Sequence, residues 1–124
     1  MNIPLFITEF GSCDDSEGCV AEINSLMDAV EEYNVQGWAY WQFKLFKDFT
    51  CTGGAGLSFY DDEGNLSVNK IQALARTYIK GAQGTIQKQS FTNGVYEASV
   101  TYDSSIQEAT ELYVYNFGLS LIHI

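Results

Sequence analysis

One carboxylate in this chain stands where chemistry is done. Glu9, in Leu5-Phe6-Ile7-Thr8-Glu9-Phe10-Gly11, follows an almost wholly apolar run and precedes a glycine that lets the chain turn away. The run from Ile3 to Thr8, with Pro4 near its start, reads as a strand buried on both faces, as strands of parallel sheets are. Enzymes built on parallel barrels keep their catalytic groups at the C-terminal ends of such strands, where a carboxylate can attack an electrophile or move a proton. The plainer reading is an acid at a strand end that meets solvent or an arginine. A second feature favours chemistry: the next apolar strand, Gly37-Trp38-Ala39-Tyr40-Trp41, ends in aromatic rings suited to stacking on the apolar face of a sugar. Trp38 and Trp41 are three positions apart and face opposite sides of a strand, so one of them packs rather than touching a ligand, and packing is assigned to Trp38.

Other candidates carry less. Asp61-Asp62-Glu63-Gly64 lacks the alternating ligands of a calcium loop and reads as a solvated turn. Cys13, Cys19 and Cys51 form no zinc motif; a Cys13–Cys19 pair is allowed, and three reduced, partly buried thiols are the alternative. Asn65-Leu66-Ser67 fits a glycosylation acceptor in a secreted protein, but Ser67 as a helix cap explains the same residues. No metal and no cofactor is called for.

The elements that must position Glu9 and Trp41 follow from periodicity. Val20, Ile23, Met27 and Val30 recur at helical spacing, with Glu22, Ser25, Asp28, Glu31 and Glu32 on the solvent side, which predicts a helix from Glu17 to Tyr33. Asp15 or Ser16 caps it, and Asn34 with Gly37 lets the chain out. The unit is strand, helix, strand, and the second strand extends to Phe43. A loop from Lys44 to Gly56 and a short hairpin, Leu57–Tyr60 with Asn65–Leu66, lead to a second helix from Val68 to Tyr78, with Val68, Ile71, Leu74, Ala75 and Tyr78 inward and Ser67 as its cap. Beyond Gly81 the period falls to two: Tyr96, Ala98, Val100 and Tyr102 share one strand face, Asn93-Gly94 marks a tight turn from Thr85–Phe91 into Val95–Tyr102, and Thr110–Tyr115 is a further strand.

Composition bounds the partners. The chain is 46% hydrophobic and 15% aromatic with one proline, so it is core-forming rather than disordered. A net charge of -10 repels phosphate backbones, which argues against a nucleic-acid partner. Two βα units cannot close a barrel and three strands cannot complete a sandwich, so the chain reads as cut at both ends. Ser120 to Ile124 interrupts the alternation and reads as a non-native tail, which removes His123 as a candidate.

The chain resembles glycoside hydrolase family 5, and within it the endoglycoceramidase-like enzymes. The matching pieces are Pro4 to Gly11, Trp38-Ala39-Tyr40-Trp41-Gln42-Phe43-Lys44, Asp62-Glu63-Gly64-Asn65-Leu66, and Ala75-Arg76-Thr77-Tyr78 with Ala82-Gln83-Gly84. The resemblance implies an α/β fold: residues 1–81 as the last two βα units of a TIM (β/α)8 barrel and 82–119 as part of an antiparallel β-sandwich domain. It makes Glu9 the nucleophile of a retaining glycosidase and places Trp41 at the subsite of the cleaved sugar. Lys44, just past the strand, is a substrate-binding candidate that can reach a glycan hydroxyl or carboxylate, against a solvated loop lysine as the plain reading. Retention needs a second carboxylate to protonate the leaving oxygen. The resemblance puts that acid/base on a strand upstream of Met1, so this segment alone is expected to be inactive.

The implied parent is a monomer, secreted or lysosomal, that cleaves the link between a glycan and ceramide and touches a membrane surface transiently through regions outside this chain. The same site would serve glucosylceramide, a steryl glucoside or a β-glucan. A non-catalytic carbohydrate-binding protein is the alternative of a different class.

Overall fold

A computed structural model describes residues 3–11, 13–44 and 55–115. Cys51, Thr52-Gly53-Gly54 and the tail Ser120 to Ile124 lie outside the described residues. The chain has a mixed α/β fold, in the order β1 (Phe6–Gly11), α1 (Glu17–Glu32), β2 (Gly37–Trp41), a 3-10 turn (Ala55–Leu57), α2 (Val68–Leu74), β3 (Tyr78–Gly81), β4 (Gly84–Thr92), β5 (Val95–Tyr102) and β6 (Glu111–Tyr113). Its contacts divide it into two compact units, Met1–Met27 with Val35–Leu74, and Asp28–Asn34 with Ala75–Ile124.

In the first unit β1 and β2 pair in parallel across α1, the strand–helix–strand unit that the periodicity predicts. Helix α1 starts where Ser16 supplies both halves of a cap: its Oγ accepts the Cys19 N–H at 3.3 Å and its carbonyl accepts the Val20 N–H at 3.0 Å. A disulfide joins Cys13 to Cys19, so of the two readings left open for these thiols the paired one holds. Cys19, Ile23 and Met27 are buried along the inner stripe of α1. At the far end Asn34 takes a φ of 48°, the left-handed exit for which asparagine is suited.

Five expectations for this unit need correction. The ladder of β1 runs from Phe6 to Gly11 rather than from Ile3 to Thr8, because its partner begins only at Gly37; Leu5 keeps two hydrogen bonds to Gln36 outside the strand. The strand is not covered on both faces, since Leu5 and Phe6 are 57% and 58% exposed. Helix α2 buries Lys70, Ala73 and Leu74, a stripe turned from the predicted one, and leaves Val68 exposed. The Ser67 carbonyl accepts the Ile71 N–H, while the next free donor, Lys70 N–H, goes to Asp15 Oδ1 at 3.3 Å. Asp15 therefore caps α2 from a distance, a role that local sequence reading assigned to Ser67. The predicted hairpin at Leu57–Leu66 reduces to a single bridge, Tyr60 to Leu66, closed by Asp61 and Asn65.

The second unit is antiparallel. β4 and β5 form a hairpin whose register runs from Gly84 against Tyr102 to Thr92 against Val95, closed by Asn93 and Gly94 at φ of 52° and 78°. Two consecutive positive φ values are what a two-residue turn of this hand requires, and Asn-Gly is the sequence that permits them. β3 pairs with β6 rather than with the hairpin, Tyr78 standing opposite Tyr113. Helix α2 consequently stops at Leu74 instead of reaching Tyr78, because Tyr78 is taken into a strand whose partner lies more than thirty residues on.

One buried polar cluster holds this second unit. Arg76 Nη1 donates to Asp28 Oδ1 at 2.7 Å, to Glu31 Oε1 at 3.1 Å and to the Phe91 carbonyl at 3.4 Å. Glu31 Oε2 accepts the Phe91 N–H at 2.8 Å. Periodicity had placed Glu31 on the solvent side of α1, yet it is buried: a helix pattern reports one apolar stripe and cannot show a polar face covered by a distant arginine.

Candidate functional site

Of the candidate residues, Glu9 and Trp41 sit on the β1–β2 pair, and Lys44 lies past the end of β2. The register matches Ile7 with Trp38 and then Phe10 with Tyr40, so Thr8 and Glu9 together oppose Ala39 in a bulge. A bulge of two residues against one breaks the strict alternation and re-aims the bulged side chains. Phe10 packs edge-on against both Trp38 and Tyr40, with ring centroids 5.5 Å apart in each pair, which fixes those three rings on one face. By strand alternation Ala39 and Trp41 point to the other face. Glu9 is exposed and Trp41 is 42% exposed, whereas Trp38 is half-buried against Phe10. Glu9 and Trp41 are thus both exposed and lie on adjacent parallel strands. Glu9 lies within the strand, two residues before its last, rather than at its tip as the sequence suggested.

Two glycines make this geometry reachable. Gly37 lies under the Phe6 ring, and a Cβ there would come within 2.5 Å of it. Gly11 has a φ of 132°, and a Cβ on it would lie 2.3 Å from the Trp41 carbonyl oxygen and 3.0 Å from the Tyr40 ring. The Trp41 backbone can approach β1 this closely only because residue 11 has no side chain. Replacing Gly11 by Ala is expected to destabilise the folded protein by about 2–4 kcal/mol, combining overpacking with a disallowed φ. Urea unfolding with an unchanged m-value checks this; a cost within experimental error would show that the strand ends can move apart freely.

Behind β2 the segment from Gly56 to Tyr60 forms a brace. The Gln42 N–H donates to the Leu57 carbonyl at 2.8 Å, and the Phe59 N–H donates to the Phe43 carbonyl at 3.2 Å. Phe59 stacks on Tyr40 at 4.6 Å, and Phe43 stands edge-on to Tyr60 at 5.7 Å. The Trp41–Gln42 peptide is cis. Burial, reinforced by the charge of Asp15, raises the pKa of the Tyr40 hydroxyl. Lys44 is exposed, with its ammonium 6.0 Å from the centre of the Tyr60 ring. Its described contact is thus with the brace rather than with Glu9 or Trp41.

Sequence reading passed over Lys70. It is 1% exposed and donates from Nζ to the Gly56 carbonyl at 2.5 Å and the Ser58 carbonyl at 3.1 Å. Burial lowers its pKa, and the charges of Asp15 and Asp14 oppose that shift. No local signal marks a lysine as buried, because its partners are backbone carbonyls whose position only the fold sets.

Among the described residues no group of three or more metal-ligating side chains is present, and no helix is long and apolar enough to cross a membrane. A cleft of about 580 Å³ lies between α1 and α2, lined by residues that include Asp15, Val20, Asn24, Asn69 and Gln72; none of Glu9, Trp41 or Lys44 lines it.

No protein-family model matches the chain. No curated protein matches it either. Solved structures do. Endo-glycoceramidase II from Rhodococcus sp., as a lactosyl-enzyme intermediate, matches with a TM-score of 0.72 at 20% identity over 92% of this chain and 24% of that one. The same enzyme's complex with ganglioside GM3 matches with a TM-score of 0.70 at 20% identity, over 92% of this chain and 23% of that one. Its structure without a named ligand gives 0.71 at 21% identity, over 92% and 24%. The chain spans about a quarter of the length of that enzyme, and across that span the resemblance read from the motifs is matched by the fold: this chain is folded like a segment of an endo-glycoceramidase.

Proposed function

We propose that the chain is the C-terminal portion of a retaining β-glycosidase that cleaves the bond between a glycan and ceramide, with Glu9 as its nucleophile. In this reading β1 and β2 are the last two strands of an eight-stranded barrel, and the appended β-sandwich begins at β3, ahead of the 82–119 read from the sequence, because β3 pairs with β6. The observation that carries it is an exposed carboxylate and an exposed indole on adjacent parallel strands. It is supported by a fold matched over 92% of the chain by an enzyme captured as a lactosyl-enzyme intermediate. The carboxylate of Glu9 attacks the anomeric carbon and forms a glycosyl ester. The ceramide oxygen leaves with a proton from a second carboxylate, roughly 5 Å away and carried by a strand outside this chain. Water, giving its proton to that same second carboxylate, then attacks the anomeric carbon and displaces the Glu9 carboxylate, so two inversions leave the configuration retained overall.

Trp41 offers a flat apolar surface to the sugar undergoing reaction, while Trp38 packs on Phe10. Trp41→Ala is therefore expected to lower kcat/KM by about 10²-fold and Trp38→Ala by several-fold at most, once both are corrected for folded fraction. Equal losses would reverse or cancel the division of roles. Lys44 is the second substrate contact in this reading, reaching a hydroxyl or carboxylate of the glycan from the end of β2.

The direct test is hydrolysis of a glycosphingolipid by the full-length protein. Release of the intact oligosaccharide with its anomeric configuration retained, followed by NMR, supports the reading. Stepwise loss of single sugars or inversion overturns it. The Cys13–Cys19 disulfide supports a secreted or lysosomal location, since such bonds persist in oxidising compartments.

A further inference from the structure

The geometry points to Lys70 as a positioning residue for Trp41, acting through the backbone of residues 56–58; this rests on the glycosidase reading of the preceding subsection. A helix needing only an apolar contact at this position would use leucine, because burying an ammonium is costly unless its donors are satisfied. Here they are used in a specific way. Nζ grips the carbonyls of Gly56 and Ser58, which flank Leu57. The intervening Leu57 carbonyl is the one that accepts the N–H of Gln42, the residue next to Trp41. Ser58, fully buried, adds an Oγ contact to the Phe43 carbonyl at 3.5 Å and accepts the Tyr60 N–H at 2.9 Å. The lysine is itself held: its backbone N–H donates to Asp15 Oδ1, and Asn69 Nδ2 reaches Asp15 Oδ2 at 3.5 Å. A continuous chain of contacts therefore runs from the loop after β1, through α2 and the brace, to the peptide that follows Trp41. Helix packing alone would need none of these donors.

A positioning role predicts coupling. In the full-length enzyme, with rates normalised to the number of sites labelled by a mechanism-based sugar fluoride, Lys70→Met is expected to lower kcat/KM by about ten- to a hundredfold, as a displaced substrate platform does. Lys70→Arg, which keeps the charge and the donors, is expected to recover part of that loss. In a Trp41→Ala background, Lys70→Met should cost less than about threefold, because there is no ring left to place. Equal losses with and without Trp41, no loss from Lys70→Met, or no effect of Trp41→Ala itself would each overturn the assignment. Should Lys70→Met yield no labelled sites, Lys70→Arg and Lys70→Gln measured in both backgrounds decide the same question. Labelling of Glu9 in the unsubstituted protein separates the two levels: without it the glycosidase reading fails, and with it a failed cycle removes only the role of Lys70.

Discussion

Replacing Glu9 by Gln in the full-length protein should reduce turnover of glycosphingolipid by about 10³-fold or more while leaving the unfolding transition almost unchanged. The size follows from the role. Without an ionised oxygen to form the glycosyl ester, the reaction loses its covalent intermediate and with it the division of one difficult step into two easier ones. The small effect on stability follows from the position. Glu9 is exposed in a bulge, so an amide of nearly the same shape displaces nothing. A mechanism-based sugar fluoride should label the native protein at Glu9, found by peptide mapping. Labelling at another carboxylate, or a Glu9→Gln variant of near-native activity, would remove Glu9 from the chemistry and leave it a solvated strand acid.

Arg76→Met should be the most damaging substitution for stability, at about 3–5 kcal/mol, because it leaves the Glu31 carboxylate buried without its cation. The two side chains are 7% and 9% exposed, so solvent can replace little of what is lost. The second acid, Asp28, is 65% exposed despite its shorter contact of 2.7 Å, and Asp28→Asn should cost below about 1 kcal/mol. The contrast between the two acids is the informative part, since distance alone would rank them the other way. Adding Glu31→Gln to Arg76→Met should recover part of the loss, because the uncompensated charge is then gone. Chemical denaturation read by hydrogen exchange in β4 and β5 reports on the unit concerned. Equal costs for Asp28→Asn and Arg76→Met would mean that burial does not govern this cluster.

Elements whose cause is local could be read from the residues alone. Ser16 caps α1 because its hydroxyl meets donors three residues on, and Asn93-Gly94 closes a hairpin because those residues tolerate positive φ. The βαβ order of the first unit followed from the change of period, and alternation along β2 put Trp38 and Trp41 on opposite sides; the contact with Phe10 shows that Trp38 packs. Glu9 was legible as a candidate from its apolar run and the glycine beyond it.

The features that were not legible depend on partners far away in the chain. The bulge that re-aims Glu9 arises from the register between β1 and β2, and no property of Thr8 or Glu9 announces it. Tyr78 continues the helical stripe of α2, yet it is drawn into a strand opposite Tyr113, because ladder pairing can override a propensity worth only tenths of a kcal/mol per residue. Glu31 and Lys70 lie on faces that hydropathy assigns to solvent. Their burial is settled by an arginine forty-five residues away in one case and by two backbone carbonyls in the other. Hydrophobic periodicity records where apolar groups recur, whereas a buried charge is stable only where the fold delivers its counter-charge or acceptors, and that delivery is a property of three dimensions.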